Sequence, residues 1–175
     1  MQSRISKILL IVILVGVSNN FFGQSAKSDW SSFQFLIGEW VGEGSGASGE
    51  GSGNITFYFA LQDQILVRKN HTEYPATASK SAFTHDDVLI HYHENNLVRA
   101  IYFDNEGHVI HYTVNFSQDS SALVLTSDVI PSAPRFRFTY TKLDNERLKV
   151  SFEIASPGKP EEFSKYLDGV VKKKI

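Results

Sequence analysis

The chain has 175 residues, a formal net charge of −2 and no cysteine. Disulfide scaffolds, thiolate chemistry and cysteine-ligated metals are thereby excluded, and so is the basic stripe that a nucleic-acid binder needs. The length suits one domain behind a leader, with enough chain to bury its own core.

Arg4 and Lys7 form a positive n-region. Ile8 to Val17 follows as an apolar run of about ten residues, too short to span a bilayer. Gly23 and Ser25 put small residues at the −3 and −1 positions, so cleavage is expected after Ser25, give or take two residues. Residues 1–25 therefore read as a signal peptide and 26–175 as the mature domain. The ending Phe22-Gly-Gln-Ser25 resembles bacterial export leaders, which implies a secreted or periplasmic protein with no stable membrane insertion after cleavage. Both basic residues of the leader leave with it, so the mature surface is mildly acidic, and the cluster Lys172-Lys-Lys174 reads as a solvated end.

Ser28 or Asp29, followed by apolar residues through Ile37, predicts a short opening helix or turn. Gly38 to Gly44 predicts a first strand carrying Trp40, and Gly44 to Gly53 a flexible loop. Those glycines lack the Lys-Ser/Thr and the strand–loop–helix setting of a phosphate cradle. Asn54 to Ala60 alternates with Ile55, Phe57 and Phe59 on one side, and Gln64 to Thr72 gives the next strand. A loop runs through Pro75 to Ser81.

Asp87 to Phe116 reads as a three-strand meander. Asp87 to His93 alternates, Asn95-Asn96 form a two-residue turn, and Val98 to Phe103 returns. Gly107 then closes a loop in the left-handed conformation, and Val109 to Val114 runs back. This register sets His93 opposite Val98, His91 opposite Ala100, Leu89 opposite Tyr102, Tyr102 opposite Ile110 and Ala100 opposite Tyr112. One face thus collects His91, His93, Tyr102, His108 and Tyr112, and the other carries Ile90, Tyr92, Arg99, Ile101, Phe103, Val109 and His111.

Ala122 to Ser127 is a further strand, and Arg135 to Thr141 pairs with Leu148 to Ile154 around Asp144-Asn-Glu146. Phe163 to Val171 reads as a strand or a short helix. The pattern is all-β, with about nine or ten strands and no long helix, and it predicts a single antiparallel up-and-down barrel. A two-sheet sandwich shares the same periodicity.

The motifs Gly38-x-Trp40-x-Gly42 and Tyr102-Phe-Asp-x-x-Gly107 resemble a family of small secreted bacterial calycin-like barrels, lipocalin-like in outline and akin to the nitrobindin fold. The resemblance covers most of the mature chain and implies a barrel with an internal cavity, but it carries no reaction. Nitrobindin-like barrels hold haem through a His near the C-terminus. No His follows His111 here, so that ligand is not carried over and no cofactor is expected.

His91-x-His93 has the spacing of β-sheet zinc ligands, but without a third ligand of fixed place no metal is assigned. No Gly-x-Ser-x-Gly elbow stands between a strand and a helix. Glu39 and Glu43 flank Trp40 as rim charges rather than as a glycosidase pair.

Proton abstraction beside a carboxylate needs a near-neutral base, a phenol or imidazole to move the proton, and a cation. His91, His93, Tyr102 and Tyr112 supply the candidate catalytic set. Arg99, Arg135, Arg137, His108 and Trp40 supply the candidate substrate-binding set, with Arg99 on the opposite face. An elimination on a small acidic, carbohydrate-derived molecule, lyase- or dehydratase-like, fits a secreted protein with such groups. The alternative is a non-catalytic binder of a small apolar ligand, in which the same rings are packing. The expected partner is a small molecule or an oligosaccharide, not nucleic acid.

Overall fold

A computed structural model describes residues 28–43 and 51–174. The leader and most of the Gly44–Gly53 loop lie outside the described residues. A 3-10 helix, Ser31–Leu36, precedes ten strands: β1 Gly38–Gly42, β2 Ser52–Ala60, β3 Ile65–Tyr74, β4 Phe83–Glu94, β5 Leu97–Asp104, β6 Val109–Phe116, β7 Ala122–Ser127, β8 Arg135–Lys142, β9 Arg147–Ala155 and β10 Phe163–Lys173. Each strand pairs antiparallel with the next, and β1 closes against β10. The architecture is a closed up-and-down barrel, in which no sheet edge is left unpaired.

Turn chemistry fixes the register of the meander. Asn95 and Asn96 both take left-handed φ, 49° and 64°, the pair of positive values that matches a two-residue turn to strand twist. Gly107 at φ 91° closes the next hairpin. His93 then pairs with Val98, His91 with Ala100, Leu89 with Tyr102, Tyr102 with Ile110 and Ala100 with Tyr112, as the sequence pattern predicts. The last segment resolves as strand β10, irregular between Lys165 and Leu167.

Alternation decides what enters the barrel. Ile55, Phe57, Leu66, Leu89, Ala100, Tyr112, Leu123, Leu125, Tyr140 and Leu148 point inward and are buried. Each buried leucine contributes roughly 1.5–3 kcal/mol of hydrophobic stabilisation. The 3-10 helix closes one end. The Asp29 carboxylate accepts from the Ser31 N–H at 2.9 Å, starting the turn. Phe33 enters the barrel edge-on to Phe116 with ring centres 5.0 Å apart. Trp30 donates to the Asp63 carbonyl at 2.8 Å, and Trp40 donates to the Leu36 carbonyl at 2.7 Å.

Candidate functional site

The opposite end, ringed by the loops at 75–82, 105–108, 128–134 and 156–162, is built differently. Inward residues of β8 and β9, Phe136, Phe138, Phe152 and Ile154, keep partial exposure despite facing the lumen. Phe136 stacks on Phe152 with centroids 5.8 Å apart, and Phe138 leans on both Phe152 and Tyr140. These rings form an apolar wall.

Strands β3, β4 and β5 form a polar wall across the lumen. Arg68, 2% exposed, pairs with Asp87, reaches the Tyr140 hydroxyl at 2.6 Å and lies 5.1 Å from the Phe138 ring centre. Asn70 donates to the second Asp87 oxygen at 3.0 Å. Buried charge is tolerated only when paired and hydrogen-bonded, and Asp87 meets that condition through Arg68 and Asn70.

Toward the rim, His85 Nε2 lies 3.1 Å from the Tyr102 hydroxyl and 3.4 Å from Asp87, while its Nδ1 lies 3.2 Å from Glu106. Tyr102 donates to Asp104 at 3.3 Å, and the Asp104 carboxylate also receives the His108 ring at 2.8 Å. Burial alone raises the Asp104 carboxyl. The hydrogen bonds from His108 and from the Glu106 backbone outweigh it and hold the group below the usual carboxylate range. Burial raises the Tyr102 and Tyr112 phenols above their ordinary range, so both stay protonated.

The candidate catalytic residues separate. His91, Tyr102 and Tyr112 do share the inward face. His91, however, is fully buried beneath Phe33, and burial pushes its imidazole down to about 3. Its Nδ1 lies 3.4 Å from the Leu66 carbonyl and its Nε2 is sealed without a partner. His93 sits at the helix-capped end, its ring 4.5 Å from that of Trp30. Only Tyr102 stands in the polar cluster of the open end.

The three expected cations do not enter the lumen. Inward positions on β8 are even-numbered, so Arg135 and Arg137 face outside, where Arg135 pairs with Glu161 and Arg137 with Glu153. Arg99 is likewise on the outer wall, held by Thr113 and Asp128. Trp40 is 1% exposed and closes the helix-capped end, away from the polar cluster. His108 stands at the rim, as part of the Asp104 cluster.

The interior cation is Arg68, which the sequence pattern hides between Val67 and Lys69 on β3. His85 was missed because β4 begins at Phe83, four residues before the alternation becomes evident at Asp87. The signal available was parity: His85, Asp87, Leu89 and His91 share one face.

Among the described residues no three His, Cys, Asp or Glu side chains converge on a common point suited to a metal. The open end thus defines a small closed barrel with a half-apolar, half-polar mouth.

No family model and no curated protein matches the sequence. Among solved structures the fold is similar to that of Rv2717c from M. tuberculosis, with a TM-score of 0.55 at 15% identity. The similarity covers 83% of this chain and 97% of that one, which extends the likeness to the whole barrel.

Proposed function

We propose that this chain is an exported, calycin-type barrel that binds a small amphipathic molecule at its open end, apolar body against β8–β9 and polar part toward β3–β5. One observation carries the reading. Phe136, Phe138 and Phe152 point into the barrel yet remain partly exposed, opposite a row of buried and half-buried polar side chains. Ligand sites in barrels combine such apolar lining with a few placed polar groups. Titration with Nile red, an uncharged apolar fluorophore, should show saturable binding that Phe138→Ala or Phe152→Ala weakens about tenfold. Unsaturable uptake, or binding indifferent to both variants, overturns the reading. Export is tested by intact-mass analysis in the native host, with a mature start expected between Gly23 and Lys27 and an uncleaved chain against it.

A second reading rests on the 3.1 Å contact between His85 and Tyr102. Paired imidazole and phenol can take the proton beside a carboxylate and return one to the leaving oxygen as the carbon–carbon double bond forms. In this lyase-like reading the acid–base work falls to His85 and Tyr102 instead of His91. A screen of uronate oligosaccharides for a new unsaturated chromophore decides it, with Tyr102→Phe expected to lower turnover about a hundredfold. Absence of the chromophore on every acidic sugar leaves the binding reading alone.

A further inference from the structure

Three inward-facing polar groups, Arg68 Nε, His91 Nε2 and the Tyr112 hydroxyl, have no hydrogen-bond partner among the described residues. Arg68 Nε is sealed and unpartnered, although the rest of the guanidinium is engaged by Asp87 and Tyr140. Tyr112 is 2% exposed and makes no hydrogen bond among the described residues. Its oxygen is not among the sealed, unpartnered atoms, so the hydroxyl still touches open volume. The large majority of buried side-chain polar atoms in folded proteins are satisfied, and leaving one without a partner is costly. Register places all three on the inner face, His91 and Tyr112 in one row on either side of the small Ala100 and Arg68 beside Leu89 one inner row along.

The chemistry of the accessible group restricts what it holds. Arg68 Nε and His91 Nε2 are sealed, whereas the Tyr112 phenol stays protonated and offers its O–H to an acceptor. A net negative head is disfavoured, because Asp87 already neutralises the Arg68 charge and the Asp104 carboxylate lies near the same phenols. We propose that the Tyr112 hydroxyl, which touches open volume, is the head-group donor for an uncharged carbonyl oxygen, a ketone, ester or amide, of a ligand whose apolar body lies on Phe136, Phe138 and Phe152. The inference rests on the binding reading above and narrows its ligand class.

The test compares undecane, 2-undecanone and undecanoic acid as displacers of Nile red from the purified chain. The ketone is expected to bind about tenfold tighter than the alkane, equivalent to about 1.4 kcal/mol from the Tyr112 hydrogen bond, and tighter than the acid. Tyr112→Phe should bring the ketone-to-alkane ratio to about one and abolish the lowered carbonyl stretching frequency of the bound ketone. Its denaturation midpoint serves as the fold control. An alkane that matches the ketone in the native chain, or an acid that surpasses it, overturns the subsite while Nile red binding through Phe138 still stands. Absence of Nile red binding itself removes the underlying reading instead. A ketone-to-alkane ratio left unchanged by Tyr112→Phe counts against the subsite.

Discussion

Arg68 on β3 donates to the hydroxyl of Tyr140 on β8 at 2.6 Å, joining strands from opposite sides of the ring. The same guanidinium pairs with Asp87 on β4, so a single side chain ties three strands through the lumen. Water is largely excluded there, which strengthens each contact and raises the cost of leaving any partner alone.

Asp87→Ala should therefore be strongly destabilising, by about 3–5 kcal/mol, because it strands a buried guanidinium. The double change Arg68→Met with Asp87→Leu should lose much less, since it removes both charges and keeps apolar volume. Chemical denaturation of the two variants separates these outcomes. Equal losses would mean that the pair matters through its shape and not through its charge.

The His91 imidazole gives the chain an acid sensitivity. Its folded value is about 3, lowered by burial, against an ordinary value of 6.5. Between those values the unfolded chain binds one proton more than the folded chain, so stability rises with pH. The stabilisation is complete above about pH 6.5 and is lost as pH falls, at up to about 1.4 kcal/mol per unit. His71, raised by its hydrogen bond to Asp86, acts in the opposite sense and only at higher pH. Denaturant midpoints between about pH 4.5 and 6.5 should slope in the native chain and flatten in His91→Leu. A native curve already flat over that window refutes the assignment.

How much of this was legible in the sequence follows from parity. Alternation and turn residues specify the register from Asp87 to Val114, because Asn95-Asn96 and Gly107 each admit one hairpin geometry. That was enough to put His91, Tyr102 and Tyr112 on one face, but not to show that Phe33 would cap His91. Arg68 was opaque for a different reason. A charged residue in a strand ordinarily faces water, and only the partners on β4 and β8, distant in sequence, reverse that expectation. Grouping Arg135 and Arg137 with the substrate-binding residues assigns them no face, and the alternating Phe136 and Phe138 are the signal that sets both arginines outside.

The β2–β3 turn stores strain at the helix-capped end. Leu61, Gln62 and Asp63 take φ of 52°, 57° and 63°, three successive left-handed residues without a glycine. Left-handed conformations cost an ordinary residue roughly 1–2 kcal/mol each. Gln62 is exposed, so Gln62→Gly should relieve strain without disturbing a core contact and raise stability by up to about 1 kcal/mol after the entropic cost of glycine. Thermal or denaturant midpoints measure the gain. A loss of similar size would show that Gln62 makes a contribution in the turn that its backbone angle does not reveal.

Arg137 provides the contrast to Arg68. Its guanidinium grips Glu153 through two bonds, Nε at 2.6 Å and Nη2 at 2.8 Å, and covers the Phe163 ring at 4.3 Å, all on the outer wall. The pair is partly exposed, at 35% and 22%, so solvent screens it and its worth is about 1 kcal/mol or less, with a similar ceiling for the ring contact. Arg137→Ala should accordingly lower stability by about 1 kcal/mol, let the Glu153 carboxyl return upward from the low value that the Arg137 hydrogen bond imposes, and leave Nile red affinity within twofold of the native chain. Tyr112→Phe should change the ketone preference and Arg137→Ala should not. An affinity loss in Arg137→Ala comparable to that of Phe138→Ala would place the ligand on the outer face of β8 and count against the lumen as its site.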